Sequence, residues 1–298
     1  LIYAGMTLIE LALLLAGRMP LFDSILTAFG TAGTGGFGIK NASIAYYGSA
    51  YLETVIAVFM LLFGVNFNVY YFLLTGNLLK ALRSEEMHWY FGIVALSTAG
   101  IAVGILPQYG KLSEALRYSF FQVSSIITTT GFVSANYDTW PVFTQIVLVL
   151  LMFVGACASS TGGGLKISRV IILVKASLRE IRTQINPREV RTIRCDGEPI
   201  GQSVVSSVLS YFGLYMLLLL FSVLLVSVDG KDPATTATAV IACLNNIGPG
   251  LGEVGATGNF SGFSVLSKLV LSFDMLAGRL ELYPLLVALS PSVWRKRI

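Results

Sequence analysis

Residues 128–132 read TTTGF and end a short apolar run, and two comparable runs end at 34–37 (TGGF) and 245–249 (NNIGP). Crossing a bilayer takes about 20 residues, so each run is too short to span it but long enough to enter one face and return. Non-helical backbone at membrane depth is tolerated only where protein buries it or where it lines water. Three such re-entrant elements therefore predict a pore built by repetition.

Composition places the chain in a membrane. Of its 298 residues, 55% are hydrophobic and 12% are charged, and the mean hydropathy is +0.76. Soluble domains carry about 25% charged residues. Apolar stretches such as 55–61 and 214–220 lack the alternation of a transmembrane β-barrel, so the predicted class is an all-α polytopic membrane protein. Because Leu1 already lies in an apolar helix, we expect a fragment that lacks an N-terminal part.

The placement of charge predicts an orientation. Basic residues are concentrated at Lys80 with Arg83, in the segment 166–194, and in the tail 295–297. If these regions face the cytoplasm, the three glycine loops open to the outside. The three cysteines lack CxxC spacing, and the single histidine, His88, adjoins charged residues. This composition disfavours a metal cluster or a disulfide framework.

The chain divides into three units, 1–80, 81–200 and 201–298, each with a long helix, a short re-entrant helix and a second long helix. The short helices are predicted over 21–32, over 112–127, and from Asp232-Pro233 onward, because proline at a first helical position gives up no needed hydrogen bond. The long helices are predicted over 1–17, 50–76, 90–106, 203–228 and 263–290, with a further span from Pro141. The polar segment 179–201 is predicted to be a cytoplasmic connection and a docking surface.

The glycine loops suit selection of a cation by backbone carbonyls. A short helix entering from outside points its C-terminus, with roughly half a negative charge, at the membrane centre. The loop after it can replace an ion's water shell with carbonyls, while glycine permits the dihedral angles and Thr or Asn braces the loop. No carboxylate occurs at 31–39, 126–136 or 244–251, which favours a monovalent cation. Glycine also serves close helix packing, but three loops in equivalent places favour the pore.

A second signal is the segment 155–166 (GACASSTGGGLK), which interrupts an apolar helix that starts at Pro141 and resumes at Ile167. Each glycine costs about 1 kcal/mol relative to alanine in a helix. A helix broken at membrane depth beside a pore is a candidate gate, and a close-packed helix crossing is the alternative. A phosphate loop is excluded because GxxxxGK[ST] is not matched.

Arg279 lies inside the last apolar span, where an ionisable group is a functional candidate by default. We expect it to lie near the ion path, limiting occupancy there or contacting the gate. A structural ion pair with Glu281 or Asp274 is disfavoured because neither is three or four residues away. Asn66 and Asn68 are predicted to make interhelical hydrogen bonds.

Together these motifs resemble the Trk/Ktr/HKT superfamily of potassium transporters, most closely its bacterial TrkH-type branch. The resemblance rests on 34–37 (TGGF), 129–132 (TTGF), 160–166 (STGGGLK), 245–253 (NNIGPGLGE) and 278–281 (GRLE). In this superfamily four helix–pore-helix–helix repeats surround one pore. The chain matches the second, third and fourth repeats.

The resemblance assigns roles to particular residues. It implies a filter formed by Thr34, Gly35, Gly36, Thr129, Thr130, Gly131, Asn246, Ile247 and Gly248. It implies an intramembrane gating loop at 156–166 that includes Ser160, Thr161, Gly162, Gly163, Gly164 and Lys166. Arg279 would project toward the pore nearby. The resemblance also implies a homodimer that binds a cytoplasmic nucleotide-binding regulatory subunit of the Trk-A type.

We therefore expect potassium uptake across the bacterial cytoplasmic (inner) membrane, with potassium bound at the filter residues. No organic cofactor is expected, and the expected surroundings are membrane lipid without nucleic acid. The alternative is a proton- or sodium-coupled secondary cation transporter with broken helices around a midplane site, which the scarcity of acidic residues in the spans disfavours. A membrane enzyme is disfavoured because no catalytic cluster is evident, and a scaffold would not need three re-entrant loops. Potassium-versus-sodium selectivity is left open because the first filter strand is absent.

Overall fold

The computed structural model describes residues 2–77, 83–186, 192–280 and 282–289 and is mainly helical in these ranges, which confirms the predicted all-α class. The helices of the first two units are α1 (Ile2–Ala16), α2 (Leu21–Ala32), α3 (Ala50–Gly64), α4 (Phe67–Leu74), α5 (Glu85–Tyr109), α6 (Leu112–Ile127), α7 (Val142–Val154) and α8 (Ile167–Ile185). Those of the third unit are α9 (Gln202–Val226), α10 (Pro233–Leu244), α11 (Val265–Leu280) and α12 (Leu282–Leu289). Strands β1 (Arg194–Cys195) and β2 (Glu198–Pro199) form one antiparallel hairpin. The predicted basic sites Lys80 and 295–297, and Glu281, lie outside the described residues.

The short helices have the predicted positions, and each packs between neighbouring helices. Helix α2 packs against α1 and α3, α6 against α5, α3 and α7, and α10 against α9 and α11. The third short helix begins where the sequence predicts, since the Asp232 carboxylate accepts a hydrogen bond from the Thr235 amide at 2.9 Å. A capping carboxylate of this kind satisfies one of the amides that a helix start leaves without a partner.

The predicted single helix over 50–76 is wrong. Helix α3 ends at Gly64, and the chain turns by 90° before α4. Val65 and Asn66 have extended backbone, and the Asn66 side chain caps α4 by accepting from the Asn68 amide at 3.0 Å. The carbonyl of Gly64 is thereby freed from the helix and accepts a hydrogen bond from Cys157 at 3.0 Å. The bend therefore contacts the segment that lies between α7 and α8.

Two helices among the described residues are long and apolar enough to cross a membrane by length and composition, Glu85–Tyr109 and Gln202–Asp229. The bent pair of α3 and α4 meets the same test when it is taken as one span. Helices α1, α2, α7 and α10 are apolar but shorter. Side chains from different units share cores; Phe132, which follows the second glycine loop, is fully buried against residues of the first unit.

The polar segment 179–201 carries the small hairpin. Helix α8 continues into it as far as Ile185, and the hairpin turns at Asp196 and Gly197, both with positive φ. Two central residues of this kind make the tight turn that matches the twist of paired strands. The hairpin lies against the N-terminus of α5, because the Asp196 carboxylate accepts a hydrogen bond from the Glu85 amide at 2.6 Å.

Candidate functional site

All three short helices end in the same hydrogen-bonded cap. After α2, the Thr34 amide donates to the Thr31 carbonyl at 3.1 Å and the Gly35 amide donates to the Gly30 carbonyl at 2.7 Å. The equivalent pairs are Thr129–Ile126 (3.0 Å) and Thr130–Ser125 (2.9 Å) after α6, and Asn246–Cys243 (3.1 Å) and Ile247–Ala242 (2.9 Å) after α10. This is the Schellman pattern, in which the residue after the cap takes a left-handed conformation. The repetition shows that the three loops are built alike.

The left-handed residue in these caps is not glycine. Thr34, Thr129 and Asn246 have φ of 50°, 56° and 56°. A β-branched residue at positive φ is a steric outlier, and such strain costs about 1–3 kcal/mol and concentrates at functional sites. A second positive φ follows two residues later in each loop, at Gly36 (62°), Gly131 (86°) and Gly248 (104°). When left-handed and right-handed backbone conformations alternate along a loop, successive carbonyls point to the same side. Ion filters use carbonyls in this arrangement.

The loops lie against one another around a common centre. A Cβ placed on Gly36 would lie 1.8 Å from the Thr130 carbonyl oxygen, and a Cβ on Gly131 would lie 1.9 Å from that of Ile247. Each of these glycines therefore faces the backbone of the next loop in chain order, a position that no side chain can share. Gly248 has no atom within 4 Å of the equivalent point among the described residues. The ring of loops is closed on two sides and open on the third.

The open side is a cavity of about 640 Å³ between the first and third loops. Thr34 and Gly35 line it from one loop, and Asn246 and Gly248 line it from the other. The guanidinium-bearing Arg279 also lines it. A further loop in this cavity would therefore contact the backbone of both the first and the third loop.

The segment 155–166 lies against the glycine loops, and its role as a gate stays a prediction. The Thr34 hydroxyl donates to the Thr161 carbonyl at 2.9 Å, and the Gly163 amide donates to the Thr129 hydroxyl at 2.6 Å. The left-handed threonines of the first two glycine loops are thus both hydrogen-bonded to this segment. Its backbone, rather than its side chains, makes both contacts.

The triple glycine is explained by this close approach. A Cβ on Gly163 would lie 2.6 Å from the Asn245 carbonyl oxygen, and a Cβ on Gly162 would lie 3.1 Å from that of Thr128. Gly164 has a φ of 75°. The Ser160 hydroxyl donates to the Cys157 carbonyl at 2.6 Å, and Lys166 donates to the Gly162 carbonyl, so the loop is also bonded internally. Close packing and a gating position are therefore not exclusive at this segment.

Arg279 reaches the same segment. Its Nη1 donates to the Thr161 carbonyl at 2.9 Å, so this oxygen accepts from both Arg279 and Thr34. The helix that carries Arg279 comes close to the end of α10 because Gly278 has no side chain, and a Cβ there would lie 1.9 Å from the Leu244 carbonyl oxygen. Arg279 thus contacts the segment 156–166, while the gating role of that segment stays a prediction. Asp274 is engaged elsewhere, since it accepts from Ser222 at 2.8 Å.

Other residues that support the loops are not evident from the sequence. The Ser125 hydroxyl donates to the Phe132 carbonyl at 2.6 Å, and the Asn245 side chain bonds the Tyr215 hydroxyl at 2.9 Å. Ser125 and Tyr215 belong to apolar helices, where nothing in the local pattern marks them. Asn66, predicted to bond between helices, donates to Glu86 at 3.2 Å.

The outer loops of the second and third units are also tied together. The Asp138 carboxylate accepts from the Gly252 amide at 3.1 Å. A Cβ on Gly255 would lie 1.9 Å from an oxygen of this carboxylate. Burial raises the pKa of Asp138, and hydrogen bonds from the backbone of Gly252 and Ala256 lower it in part. The described residues contain no cluster of His, Cys, Asp and Glu that could hold a metal.

Comparison with known proteins extends this description. A family model described as TrkH, cation transport protein, matches residues 7–296. The Trk system potassium uptake protein TrkH of Escherichia coli strain K12 is 37% identical over 301 residues, covering 99% of this chain and 62% of that protein. The protein of the same name from Vibrio parahaemolyticus is 34% identical, covering 99% of this chain and 61% of that protein. The crystal structure of the potassium transporter TrkH from Vibrio parahaemolyticus matches with a TM-score of 0.91 and 33% identity, covering 99% of this chain and 64% of that one. The chain thus spans less than two thirds of the length of these relatives.

Proposed function

The chain belongs to the TrkH family of cation transport proteins, and from this premise we propose that it forms three of four quarters of a pore for potassium uptake. The relatives that it matches are named potassium uptake proteins. The observation that carries the proposal is the contact of Gly36 with the Thr130 carbonyl and of Gly131 with the Ile247 carbonyl. These contacts bring the backbones of the three equivalent loops against one another, which supports a filter built from their carbonyls.

In this proposal the filter loops replace water around a potassium ion. The ion meets carbonyls of residues 34–36, 129–131 and 246–248, and the C-termini of α2, α6 and α10 add partial negative charge. Strain at Thr34 and Thr129 is offset by their hydrogen bonds to the gate segment. Potassium is the transported substrate, and no organic cofactor takes part.

The gate is the segment 156–166, with Arg279 holding it closed. Because the Thr161 carbonyl bonds both Thr34 and Arg279, movement of the segment releases two contacts together. The positive charge of Arg279 also limits cation occupancy beneath the filter. Opening requires that the glycines at 162–164 withdraw from the loop carbonyls that they now face.

A fourth loop is proposed to occupy the cavity of about 640 Å³ between the first and third loops. The family resemblance implies four repeats, and Gly248 faces this open space as Gly36 and Gly131 face their neighbours. The fourth loop would complete the ring and set the choice between potassium and sodium.

We further propose a homodimer in the bacterial cytoplasmic membrane, regulated by a cytoplasmic nucleotide-binding subunit of the Trk-A type. The names of the relatives describe a Trk system, and the family resemblance implies these partners. The polar segment 179–201 is the proposed docking surface. It carries the hairpin of β1 and β2 and the basic end of α8.

The test is potassium flux into liposomes that hold this chain within the complete four-repeat protein. We expect potassium-dependent flux that runs down the potassium gradient without a second ion. Absence of potassium-dependent flux with any partner or nucleotide would contradict the proposal.

A proton- or sodium-coupled transporter is the second candidate, and buried carboxylates favour it. Glu10 on α1 and Asp274 on α11 are both fully buried. If flux requires an opposing pH or sodium gradient, and if Glu10→Gln removes that requirement, this candidate replaces the first.

A further inference from the structure

We propose that Glu86 is a positioning residue for the gate, and that it links the gate segment to the cytoplasmic hairpin of β1 and β2. Glu86 lies in the first turn of α5, next to Glu85, and is 9% exposed. The proposal rests on the proposed function, because it concerns the same gate segment.

One carboxylate oxygen of Glu86 holds the gate segment. Oε1 accepts a hydrogen bond from the Ala158 amide at 2.6 Å. The residues on either side are held by the bend between α3 and α4, since Cys157 donates to the Gly64 carbonyl at 3.0 Å and Phe67 donates to the Ser159 carbonyl at 3.3 Å. Three consecutive residues at the start of the segment are therefore anchored together.

The other oxygen of Glu86 holds the bend. Oε2 accepts from the Asn66 side-chain amide at 3.2 Å, and the Asn66 oxygen caps α4 through the Asn68 amide at 3.0 Å. A hydrogen bond to an ionised acceptor is about twice as strong as one between neutral groups. Glu86 thus joins the gate segment to the bend through one buried charge.

Glu85, the preceding residue, is bound to the hairpin. Its amide donates to the Asp196 carboxylate at 2.6 Å, and its carboxylate pairs with the Lys175 ammonium at 2.5 Å. Lys175 also donates to the Arg194 carbonyl at 2.7 Å. Because Glu85 and Glu86 share one helical turn, displacement of the hairpin moves the group that anchors Ala158.

The chain of contacts therefore runs from the hairpin to α5 and from α5 to the gate segment. It begins in the most polar connection of the chain, where a soluble partner is proposed to dock. Coupling along such a path is measured with variants that break one link at a time. Substitutions at Glu86 and Asp196 each break one of the two links.

The first measurement is hydrogen exchange at the Ala158 amide in the complete protein, which does not depend on transport. We expect Glu86→Gln to speed this exchange about tenfold, because a neutral acceptor holds the amide less strongly. Asp196→Gly keeps a residue suited to positive φ while removing the carboxylate, and it should act in the same direction. Glu114→Gln, an isosteric change at an ion pair near the start of α6, is the matched control and should leave Ala158 unchanged.

The second measurement is basal potassium flux without a regulatory partner. We expect Glu86→Gln to raise it about tenfold while the potassium-to-sodium ratio stays constant, because Glu86 contacts the gate segment and not the filter. Basal flux in the double variant, Glu86→Gln with Asp196→Gly, should be close to that of the more active single variant, since both substitutions act through one path.

Unchanged exchange at Ala158 in Glu86→Gln would overturn the positioning role, whether or not the protein conducts. Effects of Glu86→Gln and Asp196→Gly that multiply in the double variant would overturn the link to the hairpin. A wild-type protein that does not conduct would instead contradict the proposed function, and the exchange measurement would still decide the inference.

Discussion

Replacing Gly131 with alanine tests whether the loop backbones form the filter. The residue has a φ of 86°, and the added Cβ would lie 1.9 Å from the Ile247 carbonyl oxygen. The left-handed conformation alone costs about 1–2 kcal/mol for a residue with a Cβ. The steric cost is larger, because carbon atoms pack favourably at about 3.5–4.0 Å, so the Ile247 carbonyl must move by more than 1 Å.

That displacement should abolish selection rather than unfold the protein. Errors of about 1 Å in a preorganised site cost about 100-fold in rate, and we expect at least this loss of potassium flux in Gly131→Ala. Flux would be measured in liposomes as potassium uptake per folded protein, with folding judged by a monodisperse size-exclusion peak. Gly36→Ala, with its clash of 1.8 Å against the Thr130 carbonyl, should behave in the same way.

The control is Gly110→Ala at the C-terminus of α5. Gly110 has a φ of 70° and no atom within 4 Å of the added Cβ, so it carries the same backbone strain without the clash. We expect a modest loss of stability and flux near that of the wild type. Gly248→Ala reports on the fourth loop, because only a loop in the open cavity would make this substitution as damaging as Gly131→Ala.

Two results would refute the reasoning. Potassium flux and selectivity in Gly131→Ala equal to those of the wild type would mean that ions do not pass these carbonyls. Equal losses in Gly110→Ala and Gly131→Ala would mean that general strain, and not contact between the loops, causes the defect.

Three further predictions concern the gate, the pore charge and one helix cap. Thr129→Val removes the hydroxyl that accepts a hydrogen bond from the Gly163 amide at 2.6 Å. Because a buried amide without a partner costs about 1–3 kcal/mol, basal potassium flux should rise about tenfold or more. Thr129→Ser keeps the hydroxyl and should leave basal flux unchanged. Arg279→Gln weakens an exposed bond to the Thr161 carbonyl; since exposed charges contribute about 0.2–1 kcal/mol, basal flux should rise by up to about fivefold. Hydrogen bonds from Thr235 lower the pKa of Asp232, so its stabilisation is present above the pKa of the unfolded chain, about 3.9, and is lost as the pH falls through the folded value. The difference in melting temperature between wild type and Asp232→Asn should therefore be constant from pH 7 to about 5 and change only below about pH 4.

Each of these predictions has a contrary outcome. Equal flux in Thr129→Val and Thr129→Ser would show that the hydroxyl does not hold the gate. Lower conductance in Arg279→Gln would mean that the charge assists cation passage. A difference between Asp232 and its Asn variant that varies between pH 7 and 5 would assign the titration to another group.

The sequence predicts the short helices well because their ends are local. The boundaries of α2 and α6 agree with prediction, since each is an apolar run that stops at Thr or Gly. The position of the gate segment follows in the same way from the low helix propensity of its glycines. The contacts that these helix ends make with other segments are not local. A distant segment bonds the hydroxyls of the left-handed Thr34 and Thr129, and no pattern near these residues indicates this.

The bend at Val65 and Asn66 has a local signal in the sequence. Asparagine before an apolar run is a common helix cap. The apolar stretches on both sides of Asn66 nevertheless favour one continuous helix, and the prediction over 50–76 follows them. The contacts of Glu86, by contrast, have no local signal in the sequence. The helix predicted over 90–106 begins after Glu86, whereas α5 begins at Glu85. The partners of Glu86, Ala158 and Asn66, come from segments that only the folded chain brings together.

The most direct measurement is a density map of the complete protein in potassium and again in thallium, which scatters more strongly. Carbonyl coordination predicts thallium peaks on the axis shared by residues 34–36, 129–131 and 246–248. Peaks located instead beside Glu10 or Asp274, with none between the loops, would contradict it.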